Sequence, residues 1–262
     1  MDIYLAGCCS LKKQREEFDR DGLLVLESFS VLRNKTASWM LPYIDGKRWK
    51  FMLDSGAFTF IESIHGRNAT STEGIDWDDY VLRYADFIIR HDVDLFCELD
   101  IDVVIGYEKV LQLRQLLETR VGRQCIPVWH KARGLEEWKS VVKDYGYVAI
   151  GGIVSGEIGI TERRFFKPLC KIAHEHDAYV HGLGLSIEHP NALGCCFDSV
   201  DSTTWNTGNR GGFVFRFNGK RLIRLTAPEG CRLKGEEAAK HNFREWVKYQ
   251  RYMTHAGWSM KT

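Results

Sequence analysis

Five acids and two histidines fall at the carboxyl ends of short apolar runs along this 262-residue chain. Phe51-Met52-Leu53 stops on Asp54-Ser55-Gly56, and Leu95-Phe96-Cys97 leads into Asp100 and Asp102. Ile126-Pro127-Val128-Trp129 precedes His130, and Val148-Ala149-Ile150 precedes Gly151-Gly152. Tyr179-Val180 runs into His181-Gly182-Leu183-Gly184, and the last such run carries Asp198 and Asp201. Carboxylates gathered at one end of a sheet raise one another's pKa values, which suits a proton-handling acid beside a nucleophile. Carboxylate nucleophiles serve well at a sugar anomeric carbon, where the transition state resembles an oxocarbenium ion. A divalent metal is the rival use of the same side chains, but no pair of them has a helical metal-ligand spacing. Asp-Ser-Gly is also an ordinary turn string.

These residues need a scaffold that brings strand ends together. Apolar runs at 3–8, 50–58, 94–102, 125–130, 147–152, 178–184 and 196–202 read as strands, seven in all. Helical spacing recurs between them, over 77–91, 107–119, 134–145 and 161–176, with a charged helical patch at 12–20 in an otherwise mixed section, 11–48. Strands without polar alternation, separated by helices, predict a parallel sheet covered on its outer side. With no dinucleotide-type glycine motif, the expected fold is a (β/α)8 barrel of the TIM type, somewhat minimal, in which strand carboxyl ends form one functional face. Asp100 and Asp102 share a face on a regular strand and diverge only if the strand has already ended. Asn218-Gly219 between two apolar runs predicts a hairpin, and a helix over about 236–253 follows. The expected organisation is one domain over 1–262, with a barrel core at 1–205 and the hairpin and helix, 206–262, appended.

Composition is that of a globular protein, with 44% hydrophobic and 12% aromatic residues. The formal net charge of +1 conceals an uneven distribution. Residues 203–262 hold 12 Lys/Arg against 4 Asp/Glu, and the preceding 202 residues hold 24 against 31. Arg210, Arg216, Lys220, Arg221 and Arg224 cluster on or beside the hairpin, a pattern suited to phosphate contacts. Eight cysteines include no Cys-x-x-Cys, and two sets are adjacent in sequence, a poor geometry for disulfides or zinc. A reducing, cytoplasmic setting is expected. No secretory leader is expected, and no run approaches the ~20 apolar residues of a membrane span.

Taken in order, the strand-end strings resemble the tRNA-guanine transglycosylase superfamily. Leu53-Asp54-Ser55-Gly56-Ala57-Phe58 is similar to its Asp-Ser-Gly-Gly-Phe/Tyr motif, and Leu99-Asp100-Ile101 to the Leu-Asp-Ile of archaeal members. The segment Ala149-Ile150-Gly151-Gly152-Ile153-Val154-Ser155-Gly156-Glu157 resembles Ala-Ile-Gly-Gly-Leu-x-x-Gly-Glu. Tyr179 to Gly184 resembles Tyr-Leu-Met-Gly-Val-Gly, and Ser199-Val200-Asp201-Ser202 falls where the family has its nucleophile strand. The ordered set spans roughly residues 50 to 205.

The resemblance implies a (β/α)8 barrel that exchanges guanine in a polynucleotide for a 7-deazaguanine. It implies Asp201 as nucleophile at C1′ and Asp54 as the acid/base that serves the leaving and incoming bases. Asp100 would read the base edge with the Gly152 backbone and His130, where relatives have glutamine, within a pocket that includes Ser55, Gly151 and Gly182. Phe58 and His181 would flank the base, and Glu157 matches a glutamate that tunes which base is accepted. The carboxyl-terminal Cys-x-Cys-x-x-Cys…His zinc site of tRNA-acting relatives is missing, since only Cys231 follows Cys196. Val200-Asp201-Ser202-Thr203-Thr204-Trp205 looks instead like the Val-Asp-Ser-Thr-Ser-Trp of zinc-free phage and bacterial 7-deazaguanine DNA transglycosylases. DNA and a 7-deazaguanine such as 7-cyano-7-deazaguanine are therefore the expected partners, with no metal and no cofactor. Asp198 competes with Asp201, because Phe197-Asp198-Ser199 copies the archaeal Phe-Asp-Ser. The alternatives are a tRNA-guanine transglycosylase, a non-catalytic nucleic-acid-binding partner subunit, and a nucleoside hydrolase or glycosidase on the same barrel.

Overall fold

Residues 1–56, 75–189, 196–206, 212–226 and 234–255 are described in the computed structural model. Eight short strands form one sheet: β1 (Asp2–Ala6), β2 (Leu23–Ser28), β3 (Trp49–Asp54), β4 (Leu95–Phe96), β5 (Val128–Trp129), β6 (Tyr147–Ile150), β7 (Tyr179–Gly182) and β8 (Ser199–Ser202). Their order is β4-β3-β2-β1-β8-β7-β6-β5, and neighbouring strands run parallel. The outer strands of that order, β4 and β5, approach each other at a parallel bridge between Cys97 and Ile126. There Ile126 N–H donates to Phe96 O at 2.8 Å and Glu98 N–H donates to Ile126 O at 3.0 Å. The sheet thus curls round on itself as an α/β, TIM-like fold.

The strands are buried on both faces, and alternation along them sorts their side chains into two layers. Tyr4, Ala6, Leu24, Leu26, Met52, Cys97, Ile126, Val128 and Ala149 pack together inside the curl. Their strand neighbours, such as Ile3, Leu5, Val25, Leu53, Val148, Val180 and Val200, join a larger cluster under the helices. Those helices are α1 (Phe29–Leu32), α2 (Leu41–Asp45), α3 (Trp77–Arg90), α4 (Asp102–Ile105), α5 (Tyr107–Val121), α6 (Gly134–Asp144), α7 (Phe166–His174) and α8 (Gly235–His255). In α3 the buried positions Trp77, Tyr80, Val81, Tyr84, Ala85, Phe87 and Ile88 recur at helical spacing. Its start is capped by Asp76, whose carboxylate accepts from Asp79 N at 3.0 Å. The Tyr84 hydroxyl reaches back to the carbonyls of Leu53 (3.1 Å) and Cys97 (3.0 Å), tying α3 to the ends of β3 and β4.

The tail contains the expected hairpin, β9 (Phe213–Phe217) with β10 (Leu222–Thr226), antiparallel and followed by α8. Asn218 Oδ1 accepts from the backbone of Lys220 (3.1 Å) and Arg221 (2.9 Å), and Gly219 takes φ 92°, which a turn there requires. Asn242 and Glu245 of α8 accept from Phe215 N and Phe217 N, each at 2.7 Å. Gln250 of α8 plugs the outer side of the barrel, donating to Ile3 O (2.7 Å) and Leu24 O (2.8 Å).

Several expected boundaries change. Seven barrel strands are expected and the described residues contain eight, because β2 lies within the section read as mixed. The charged patch at 12–20 belongs to a 3-10 segment, Cys8–Phe18. The strand expected over 94–102 ends at Phe96, and the helix expected over 161–176 divides into a 3-10 turn, Ile160–Phe165, and α7. Among the described residues no helix is long and apolar enough to cross a membrane.

Candidate active site

Asp54 is the last residue of β3 and shares the inner face with Met52. Its Oδ2 accepts from Gly56 N at 3.0 Å. Gly56 takes φ 79°, and a Cβ there would lie 2.4 Å from Ser28 Oγ, so the chain can make this turn over β2 only with glycine. Burial pushes the Asp54 carboxyl up to about 7, with Asp100, Asp201 and Glu27 adding repulsion that the single Gly56 hydrogen bond does not cancel. Ser55 is buried beside it, and its carbonyl accepts from the Tyr80 hydroxyl at 2.6 Å. Phe58 lies outside the described residues.

Asp201 enters the same end of the barrel from β8 and is 6% exposed. Its Oδ1 accepts from Gly184 N at 2.6 Å and lies 3.2 Å from His181 Nε2. Asp198 is elsewhere. It precedes β8, sits beyond its amino end, and accepts from Val180 N (2.8 Å) while pairing with His174 of α7 (2.8 Å). His181 is fully buried, with both ring nitrogens engaged and its ring T-shaped against Tyr4 at 6.1 Å between centroids. A ring so enclosed offers no open stacking face, which corrects the expectation that His181 flanks the base. Gly182 beside it is closely packed, since a Cβ there would lie 3.0 Å from Leu185 Cδ2 and that side chain would have to shift by a few tenths of an ångström.

The third group centres on His130. Its Nε2 lies 2.5 Å from Asp100 Oδ1, and its Nδ1 lies 2.7 Å from Glu157 Oε2. Burial disfavours the charged ring, but Asp100, Glu157 and Asp102 outweigh it and raise the imidazole to about 9. His130 is therefore a cation with both N–H groups donated to carboxylates. Glu157 also accepts from Ala132 N at 2.9 Å. The two glycines make this packing feasible: a Cβ on Gly151 would lie 2.9 Å from His130 Nε2, and one on Gly152, at φ 75°, would lie 2.6 Å from Glu157 Oε2. Since β4 has already ended, Asp100 and Asp102 diverge. Asp102 pairs with Arg133 at 3.0 Å, which also donates to Val128 O at 2.6 Å. Asp100, Asp102 and His130 could each offer an atom within 4.8 Å of the others, yet the imidazolium and the Arg133 guanidinium already supply their counter-charge.

The hairpin's basic residues Arg216, Lys220, Arg221 and Arg224 are exposed, and Arg210 lies outside the described residues. Leu222 N donates to Glu188 O at 3.0 Å, which ties the hairpin to the loop following β7. Arg224 is engaged by Glu188 at 3.0 Å and covers Phe213 at 5.1 Å.

Ser28, Tyr147, Ser199 and Arg133 belong to the site's surroundings and do not follow from the strand-end reading. Ser28 sits on the missed strand, in register with Asp54. Tyr147 and Ser199 sit at the beginnings of β6 and β8, where period-two alternation from Ala149 and from Asp201 is the available signal.

The fold and site together define a parallel α/β barrel whose strand carboxyl ends carry a partly buried acid, a hydrogen-bonded aspartate and a carboxylate–imidazolium–carboxylate group. No family model matches the chain, and no curated protein matches it. Among solved structures it is similar to one described as "Native KDPGal structure", at 9% identity over 97% of each chain with a TM-score of 0.49.

Proposed function

We propose that the protein is a DNA guanine transglycosylase that exchanges guanine in DNA for a 7-deazaguanine, such as 7-cyano-7-deazaguanine. The observation that carries this reading is a pair of aspartates at one barrel end with divergent environments. Asp54, raised to about 7, is suited to giving and taking a proton near neutrality. Asp201, accepting from Gly184 N–H and lying beside His181 Nε2, is suited to nucleophilic attack. Such a division between neighbouring carboxyls is the usual mark of acid and nucleophile roles.

In the first displacement a carboxylate oxygen of Asp201 bonds to C1′ as the C1′–N9 bond breaks. The bond's electron pair leaves with guanine, which takes the Asp54 proton. In the second, Asp54 removes the N9 proton of the incoming 7-deazaguanine, N9 bonds to C1′, and the ester to Asp201 breaks. Two inversions give net retention, and the electrons balance without an oxidant or reductant. Asp100, fixed by His130, accepts from the donor edge of the base. The target nucleotide must leave the helix stack, and the exposed basic hairpin offsets part of that cost through phosphate contacts.

The test is incubation of the protein with guanine-labelled duplex DNA, or with labelled tRNA, with and without the deazaguanine. Label released from DNA only when the deazaguanine is present supports the proposal. Release without it indicates a hydrolase, release from tRNA alone indicates the tRNA enzyme, and no release from either overturns the catalytic reading.

A further inference from the structure

Ser199 stands two residues before Asp201 on the inner face of β8. Its Oγ lies 2.6 Å from His181 Nδ1 and 2.5 Å from the Tyr147 hydroxyl. His181 Nε2 lies 3.2 Å from Asp201 Oδ1. Four side chains from the adjacent strands β6, β7 and β8 therefore form one hydrogen-bonded line inside the barrel. It begins at the cleft on the amino-terminal side, which Tyr147 and Ser199 line with Asp2 and Tyr4, and ends at Asp201.

The line has a direction. A carboxylate can only accept, so the contact between His181 and Asp201 Oδ1 calls for a proton on Nε2. Burial, with Tyr4 adding to it, pushes the Tyr147 phenol well above its usual value, so this group has a proton to donate at the far end. Ser199 Oγ accepts that proton's hydrogen bond and donates its own to His181 Nδ1. A neutral imidazole that accepts at Nδ1 carries its proton on Nε2, which faces the Asp201 carboxylate.

We infer that Tyr147 and Ser199 are positioning residues that hold His181 in the Nε2-protonated tautomer and aim it at Asp201 Oδ1. Gly184 N–H engages the same oxygen at 2.6 Å, so two donors from β7 and its following loop fix the orientation of the carboxylate. The consequence for catalysis rests on Asp201 being the nucleophile, as proposed above; the tautomer assignment does not.

The experiment uses the full chain labelled with 15N-histidine, with the His181 signal assigned by its loss in His181→Asn. Long-range proton–nitrogen spectra of the wild type are expected to show His181 as one neutral tautomer with its proton on Nε2. Ser199→Ala is expected to lose that preference and Ser199→Thr to restore it. In single-turnover reactions with guanine-containing DNA and no deazaguanine, Ser199→Ala is expected to form the covalent adduct about tenfold more slowly, from loss of one hydrogen bond. Its DNA Kd stays unchanged, and Ser199→Thr recovers the rate. A wild-type proton on Nδ1, or a Ser199→Ala protein that keeps both tautomer and rate, overturns the inference. Where Ser199→Ala does not fold, Tyr147→Phe carries the comparison, with a smaller change in the same direction expected and no change overturning it. A wild type that forms no adduct defeats the transglycosylase reading, while the nitrogen spectra still decide the tautomer.

Discussion

Asp198 and Asp201, three positions apart at the last strand, serve opposite sides of the barrel wall. Asp198 binds His174 of an outer helix, and Asp201 faces the interior beside His181. Odd and even positions of a strand face opposite ways, so both cannot enter one pocket. Asp201→Asn should lower the proposed exchange at least about a thousandfold by removing the proposed nucleophile. Asp198→Ala should leave exchange within a few-fold and cost about 1–3 kcal/mol of stability, because Val180 N–H loses its acceptor. Adduct formation on DNA and urea denaturation of each variant measure the two effects.

Asp54 links activity to pH. In the proposed exchange guanine leaves with the Asp54 proton, so the single-turnover release rate should fall as pH rises through about 7. Asp54→Asn should slow release about 100-fold or more and flatten that profile. The folded value is raised above the unfolded one of about 3.9, so the folded chain binds this proton more tightly. The associated stability is full below about pH 4 and lost as pH rises to about 7, amounting to up to about 4 kcal/mol. Denaturation should therefore show Asp54→Asn gaining on the wild type between pH 4 and pH 8.

His130 predicts a loss at alkaline pH. Its folded value of about 9 exceeds the unfolded value of about 6.5. Stability from its two carboxylate bonds is full below about pH 6.5 and lost as pH rises through about 9, worth about 3 kcal/mol. The stability gap between wild type and His130→Gln should shrink by that amount between pH 6.5 and pH 10. With Asp100 in its proposed base-reading role, affinity for the deazaguanine should decline over the same window as Asp100 loses its fixed partner; calorimetric titration across that range checks this.

The hairpin predicts a salt dependence. Replacing Arg216, Lys220 and Arg221 by alanine should weaken duplex binding and reduce the slope of log Kd against log salt by about 0.9 for each phosphate no longer neutralised. Arg224→Ala should have a smaller effect, because Glu188 already neutralises that guanidinium. Fluorescence anisotropy over a salt series separates the two, and an unchanged slope in the triple variant would remove the hairpin from the DNA surface.

Much of the barrel was legible because a buried parallel strand has a local signature: a short apolar run ending in polar residues. β2 carries that signature in Leu23-Leu24-Val25-Leu26, yet an unalternating run reads equally as buried helix, and its charged surroundings obscured it. Asp54, Asp100 and Asp201 could be marked for the same local reason, each following such a run. The bonds that give them character could not, since His130 meets Asp100 and Glu157 across 30 and 27 residues of sequence.

The sequence by itself determined where strands end in acids, and so which residues the fold would bring to a common rim. Only the tertiary structure decided which aspartate of the last strand turns inward, that His130 is a cation between two carboxylates, and that His181 supports Asp201 from beneath. Strand position is set by neighbouring side chains, whereas protonation and orientation depend on burial and on partners supplied by other strands. Those partners exist only once the sheet has curled and aligned its registers.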